Sequence, residues 1–327
     1  MTTVSDLLKP EDITAAGKRI EGFIRRTPME PCPALSEMTD TTVALKLECW
    51  QQTGSFKVRG AINKVLCLSD KEKERGLITA SAGNHGLGVA YAAGLFGVRT
   101  TLVLPTHAAS TKVEALRRYK DVTLIQAGQD YDEAEEIARR LAQEKNLVLV
   151  HAFDDPVVIA GQGTVGLEIV QEFGDVDTVV VPIGGGGLIA GTAVAVKNIN
   201  PRTRVIGVQS VASPAMYRSL LAGQVVETPI QETIADGLAG RFVSELTLTL
   251  AKNWVDDVVL VEEEEIKRAM VFLLKEMHLV VEGSAAVGVA ALLFGKITPG
   301  KQTAVVLTGR NIDAATVKTI LNRYSPE

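Results

Sequence analysis

The stretch Thr178-Val179-Val180-Val181-Pro182-Ile183-Gly184-Gly185-Gly186-Gly187-Leu188-Ile189-Ala190-Gly191-Thr192-Ala193-Val194-Ala195-Val196-Lys197 carries three signals in order. The first is a run that is apolar on successive residues, which predicts a strand covered on both faces and hence a parallel sheet. Four consecutive glycines follow, and glycine costs backbone entropy in any folded state. A helix-like run then begins at Leu188. Strand, glycine loop and helix start together make an anion cradle. Main-chain N–H groups can turn inward where no Cβ intervenes, and the helix dipole favours negative charge. The competing reading is a tight strand-to-helix turn that holds no ligand.

The loop lacks the common nucleotide signatures. A P-loop needs a Lys-Ser/Thr pair after its last glycine, and Leu188-Ile189 stands there instead. The dinucleotide pattern counted from Gly184 needs a glycine at position 189, which is Ile189, and an acid at the end of the next strand, which is Gln209. A small phosphate monoester, held without a basic clamp in the loop, is the phosphate ligand left.

Outward from this loop the same alternation continues. Strand-like runs lie at Val43–Leu47, Thr100–Leu104, Val122–Gln126, Leu147–His151, Val205–Gln209 and Ala304–Thr308. Helical patterns at Lys112–Tyr119, Asp132–Glu144 and Glu262–Met277 are interspersed. Alternation of this kind predicts an α/β fold built of βαβ units, with ligand sites at the carboxyl ends of the strands. The acidic run Glu262–Glu265 reads as a helix N-terminus rather than a metal site, because the dipole favours carboxylates there.

Length and composition set the bounds. The 327 residues suit one large α/β unit or two lobes. The chain is 46% hydrophobic and 22% charged, with a net charge of −5 and no concentrated basic face, which argues against a nucleic-acid or anionic-membrane partner. Cys32, Cys49 and Cys67 are too few and too irregular for a disulfide framework. Met1 to Pro10 has no apolar leader core, and no apolar run approaches ~20 residues. The expectation is a cytoplasmic protein. The histidines His107, His151 and His278 show no metal-ligand spacing among themselves or with the cysteines.

Two further motifs complete the pattern. Gln52-Thr53-Gly54-Ser55-Phe56-Lys57-Val58-Arg59-Gly60 opens a helical stretch. Ser55 is expected as its N-cap, which puts Lys57 in the first turn. There the helix dipole would disfavour the ammonium form and make the amine a better imine former. Ser81-Ala82-Gly83-Asn84-His85-Gly86 sits between the apolar Leu77-Ile78-Thr79 and a second helix-like run. Its hydroxyl and N–H groups suit a carboxylate.

Ser55-Phe56-Lys57, Ser81-Ala82-Gly83-Asn84-His85, Gly184 to Leu188 and Thr308-Gly309, in this order, resemble the serine/threonine dehydratases. These are fold type II pyridoxal-phosphate enzymes, related to the tryptophan synthase β chain. Asp155-Pro156 with Ile159-Ala160-Gly161-Gln162-Gly163-Thr164 is also typical of that family, and the resemblance covers almost the whole chain. It implies two lobes, each a mostly parallel sheet flanked by helices. Residues 1–74 and 152–327 would form a large cofactor domain, and residues 75–151 a small substrate-loop domain.

The resemblance also implies roles. Lys57 would carry pyridoxal 5′-phosphate covalently and later take the Cα proton. Phe56 would pack on the pyridine ring, and Asn84 would hydrogen-bond its 3′-oxygen. Gly184, Gly185, Gly186, Gly187 and Leu188 would hold the phosphate, and Thr308 would face the ring nitrogen. Ser81, Ala82, Gly83, Asn84 and His85 would form the substrate carboxylate loop. The implied reaction is elimination of water from a hydroxy amino acid, giving a 2-oxo acid and ammonia. A monovalent cation and assembly into a homodimer or higher homo-oligomer belong to the same set of expectations.

Departures from the family narrow this. Related serine racemases use a serine at the position of Ala82 as a second proton carrier, and alanine cannot serve. Gln209 stands where those relatives have an acidic metal ligand, so no metal site is expected. Arg310 replaces a small residue. It could reach a second acidic group on a substrate, pair with Asp313, or form a surface or intersubunit ion pair. The substrate therefore stays open among threonine, serine, a 3-hydroxyaspartate and a specialised hydroxylated amino acid. The remaining alternatives are racemisation and β-replacement.

Overall fold

In the computed structural model, residues 7–324 are described; residues 1–6 of the Met1 to Pro10 leader reading lie outside them. Ten strands among these residues form two sheets. The strands are β1 (Met29–Pro31), β2 (Thr42–Lys46), β3 (Leu77–Ala80), β4 (Thr100–Leu104), β5 (Val122–Gln126), β6 (Val148–Leu149), β7 (Thr178–Pro182), β8 (Arg204–Ser210), β9 (Asp257–Val261) and β10 (Gln302–Val306). The six-stranded sheet has the order β1-β2-β10-β7-β8-β9, and the four-stranded sheet β5-β4-β3-β6. Every pairing is parallel except β1 with β2.

The burial pattern explains the parallel arrangement. All five residues of β7 are buried, and so are residues 187–196 of the helix that follows it. Helices therefore cover both faces of the sheet, which is what continuous apolar strands require. β6 is shorter than the Leu147–His151 run in the sequence, because only Val148 and Leu149 pair with β3. β9 and β1 complete the large sheet at its edges. The acidic run forms a helix start as expected: Glu262 is the N-cap of Glu263–Met277, with a capping box to Glu265.

The helix that begins at Lys57 is anchored unusually firmly. Arg59, fully buried, donates to both oxygens of Glu48 at 2.8 and 2.7 Å and to both oxygens of Glu168 at 2.7 and 2.8 Å. Lys46 pairs with Glu168 at 2.7 Å, so two cations balance two carboxylates. The Ile159–Thr164 motif packs against the same helix. A Cβ on Gly161 would lie 2.6 Å from Gly60 Cα, so the two helices touch backbone to backbone. Asp155 caps the Pro156–Glu172 helix through Val157 N at 2.9 Å.

Candidate active site

The carboxyl ends of β3, β6, β7 and β10 give way to loops around one cleft of about 950 Å³ between the sheets. Phe56, Lys57, Ser81, Ala82, Gly83, Asn84, His85, Gly184, Gly185, Gly186, Gly187, Leu188 and Thr308 all line it. Residues drawn from four segments of the sequence thus meet at one place.

Lys57 is the first residue of the helix Lys57–Cys67. Its Nζ donates to Ala152 O at 3.2 Å and lies 5.2 Å from the centre of the Phe56 ring. Phe56, not Ser55, takes the cap position, with helical backbone angles and no side-chain cap bond. Ser55 instead makes an antiparallel bridge with Gly309, which ties the lysine loop to the end of β10. The amine is lowered to about 8, but chiefly by burial, with the Glu282 carboxylate opposing the fall. Desolvation is the chief cause that makes a neutral amine accessible near physiological pH.

The glycine loop is a cradle that side chains would fill. Gly186 has φ of 94°, a left-handed conformation that glycine adopts without strain. A Cβ on Gly185 would sit 2.3 Å from the Phe153 ring. The helix Gly187–Ile199 begins here, and its first N–H groups have no acceptor within the helix. Such groups at a helix start suit an anion.

The second loop follows β3. Gly83 is the N-cap of Asn84–Leu95 without a side-chain cap, and Ser81 Oγ accepts from Gly83 N at 3.1 Å. First-turn N–H groups are again free for a carboxylate. His85 is buried, and its Nε2 donates to Val150 O at 3.0 Å. Burial, reinforced by Lys57, lowers the imidazole to about 3. It is neutral at physiological pH and contributes main chain and packing, not a proton.

Two hydroxyls are orphaned beside the cleft. Thr308 Oγ1 and Ser284 Oγ are buried and lack a partner among the described residues, and such groups need one. A ligand carrying a ring nitrogen and an anionic group fits them and the N–H loops. Gln209, in contrast, is occupied by main chain: Nε2 donates to Ile183 O and Ser213 O, and Oε1 accepts from Tyr217 N at 2.9 Å.

The sequence reading missed several lining residues. Phe153 follows β6 and packs on the glycine loop. His151 accepts from Phe153 N and Asp154 N at Nδ1, so its proton is on Nε2, 2.9 Å from Glu135. Burial pushes Glu135 up, but His151, Arg139 and Tyr131 together pull it down to about 2. Glu282 lies at the cap of Gly283–Leu293, and Asn311 follows the Thr308-Gly309 motif. Glu282, beside Gly283, and Asn311, next to the Thr308-Gly309 motif, were the ones with a local sequence signal.

Arg310 is exposed and is not part of the cleft wall. Asp313 does not pair with it. Asp313 accepts from Thr316 N at 2.8 Å and Thr316 Oγ1 at 2.7 Å, and so caps the last helix.

Residues 20–309 match the family model described as pyridoxal-phosphate dependent enzyme. The chain is 45% identical over 313 residues to an L-threonine ammonia-lyase of Thermotoga maritima, covering 96% of this chain and 78% of that protein. It is 42% identical over 315 residues to a catabolic L-threonine dehydratase of Staphylococcus aureus, covering 95% and 91%. Among solved structures, maize serine racemase superposes with a TM-score of 0.90 at 33% identity, covering 97% of this chain and 98% of that one. The cleft's lysine, glycine loop and orphaned hydroxyls agree with those likenesses, and the chain belongs to the pyridoxal-phosphate-dependent enzymes.

Proposed function

We propose that the protein removes water from L-threonine, and second from L-serine, releasing a 2-oxo acid and ammonia. The observation that carries the reading is the meeting of a desolvated amine, Lys57, with two loops of free N–H groups in one cleft. Pyridoxal phosphate, when bound, would supply an electron-withdrawing ring for the Cα carbanion and an acidic group for the departing hydroxyl. Lys57 would hold the cofactor and would accept the substrate's Cα proton. The N–H groups of Gly184 to Leu188 would hold the phosphate, and Thr308 would offer its hydroxyl to the ring nitrogen. A hydroxyl there, unlike a carboxylate, would leave that nitrogen weakly protonated, which suits elimination. Asn84 would donate to the 3′-oxygen, and the loop Ser81 to His85 would orient the substrate carboxylate.

Two features bear on the substrate. The cleft wall carries Asp132, Glu135, Glu136, Asp154, Asp236 and Glu282 against Lys57, Lys112 and Arg139. A second carboxylate on a substrate meets like charge there, and Arg310 does not line the wall. This favours neutral hydroxy amino acids over 3-hydroxyaspartate. Racemisation needs a proton carrier opposite Lys57, and Ala82 has no exchangeable proton to supply it.

Purified holoenzyme is assayed for 2-oxo acid with both enantiomers of threonine, serine and 3-hydroxyaspartate. Release from L-threonine in excess of the others is expected. Release from 3-hydroxyaspartate alone, or from none, overturns the reading.

A further inference from the structure

Asn84, Asn311 and Glu282 close a ring of hydrogen bonds beside the cleft. Asn84 Nδ2 donates to Glu282 Oε1 at 2.7 Å, and Asn311 Nδ2 donates to Asn84 Oδ1 at 2.6 Å. Asn311 N donates to Glu282 Oε2 at 3.0 Å, and Asn311 Nδ2 also donates to Thr53 O at 2.9 Å. Both amides are therefore fixed in direction. Turning Asn84 over would set its oxygen against the Glu282 carboxylate and its NH2 group against that of Asn311. Turning Asn311 over would set its oxygen against two carbonyl oxygens. An amide orientation is read from such a network, and this one has a single consistent solution. It leaves one hydrogen of Asn84 Nδ2 unassigned.

We infer that Glu282 and Asn311 are positioning residues that lock the Asn84 amide with its nitrogen toward the cofactor, so that Asn84 can only donate to the cofactor's 3′-oxygen. The inference rests on the reading of Asn84 as a cofactor contact. The ring also joins the two halves of the cleft. Asn84 follows the four-stranded sheet, whereas Glu282 and Asn311 flank β10 of the six-stranded sheet. Separating the halves would break the Glu282 and Asn311 bonds to Asn84 and release its amide.

The consequence is spectroscopic. An anionic 3′-oxygen gives the bound cofactor a visible band near ~410 nm, and a neutral hydroxyl gives one near ~330 nm. A donated hydrogen bond favours the anion. The ratio of the two bands is measured in holoenzyme at pH about 9, where Glu282, raised to about 7 by burial and by Asp236, is ionised. Glu282→Gln and Asn311→Ala are each expected to lower the ratio about tenfold, the effect of losing one charge-assisted bond. Neither should lower it further in an Asn84→Ala background. An unchanged ratio, or an equal fall in that background, overturns the inference. Asn311 is exposed, so Asn311→Ala decides the matter if Glu282→Gln does not fold. A wild-type protein that shows neither band after cofactor is added would instead refute the reading of the site itself.

Discussion

Replacing Lys57 with methionine should stabilise the cofactor-free protein at neutral pH and lose that advantage in alkali. The ammonium is normally released near 10.5, and burial lowers this to about 8 in the folded chain. The difference of about 2.5 corresponds to about 3.4 kcal/mol at 1.36 kcal/mol per pH unit. Lys57 keeps some solvent contact through the cleft, so we expect about 1–2 kcal/mol after screening. The sign follows from proton linkage. Below pH about 8 both folded and unfolded chains carry the proton, and the folded one bears the whole desolvation penalty. As pH rises through 10.5 both become neutral and the penalty disappears. The methionine variant, which has no proton to lose, should therefore lead the wild type by about 1–2 kcal/mol more at pH about 7 than at pH about 10.5. Urea unfolding of both apo-proteins at the two pH values measures it. A difference that is independent of pH would mean that the amine is not desolvated, and the argument for its nucleophilicity would fail.

The other expectations concern the reaction, the cradle and the anchor. Lys57→Ala should abolish both 2-oxo acid release and the visible cofactor band, and an active variant would show that another lysine carries the cofactor. Gly185→Ala places a Cβ against the Phe153 ring at 2.3 Å; cofactor affinity by fluorescence titration should fall at least about tenfold, an amount set by about 1.4 kcal/mol of steric cost. Arg59→Leu leaves Glu48 buried without a counter-charge and Glu168 with Lys46 alone, so unfolding free energy should drop by about 3–5 kcal/mol. Ala82→Ser should raise the ratio of racemisation to elimination, scored by chiral chromatography of recovered substrate; an unchanged ratio would remove position 82 from the argument.

Much of the fold was legible because its signals are local. The apolar run at Thr178, the four glycines and the helix after them each follow from neighbouring residues, and all three form as read. The acidic run at Glu262 was a capping box for the same reason. Boundaries set by partners were less legible. Leu147–His151 has strand composition throughout, but only Val148 and Leu149 find a neighbour in β3. Ser55 has the chemistry of a cap, yet its backbone is drawn into a bridge with Gly309.

The candidate site divides along the same line. The sequence alone determined which residue types stood where: one lysine at a helix start, two N–H-rich loops, an alanine where a racemase would need a hydroxyl. Only the tertiary structure decided that burial lowers the Lys57 amine, that His85 is held neutral, that Arg310 is off the cleft wall, and that Glu282 and Asn311 meet Asn84. Asn84 is 198 residues from Glu282 and 227 from Asn311. Hydrogen bonds and desolvation depend on what surrounds a group in space, and when that surrounding comes from distant segments it becomes visible only once the two sheets have closed around the cleft.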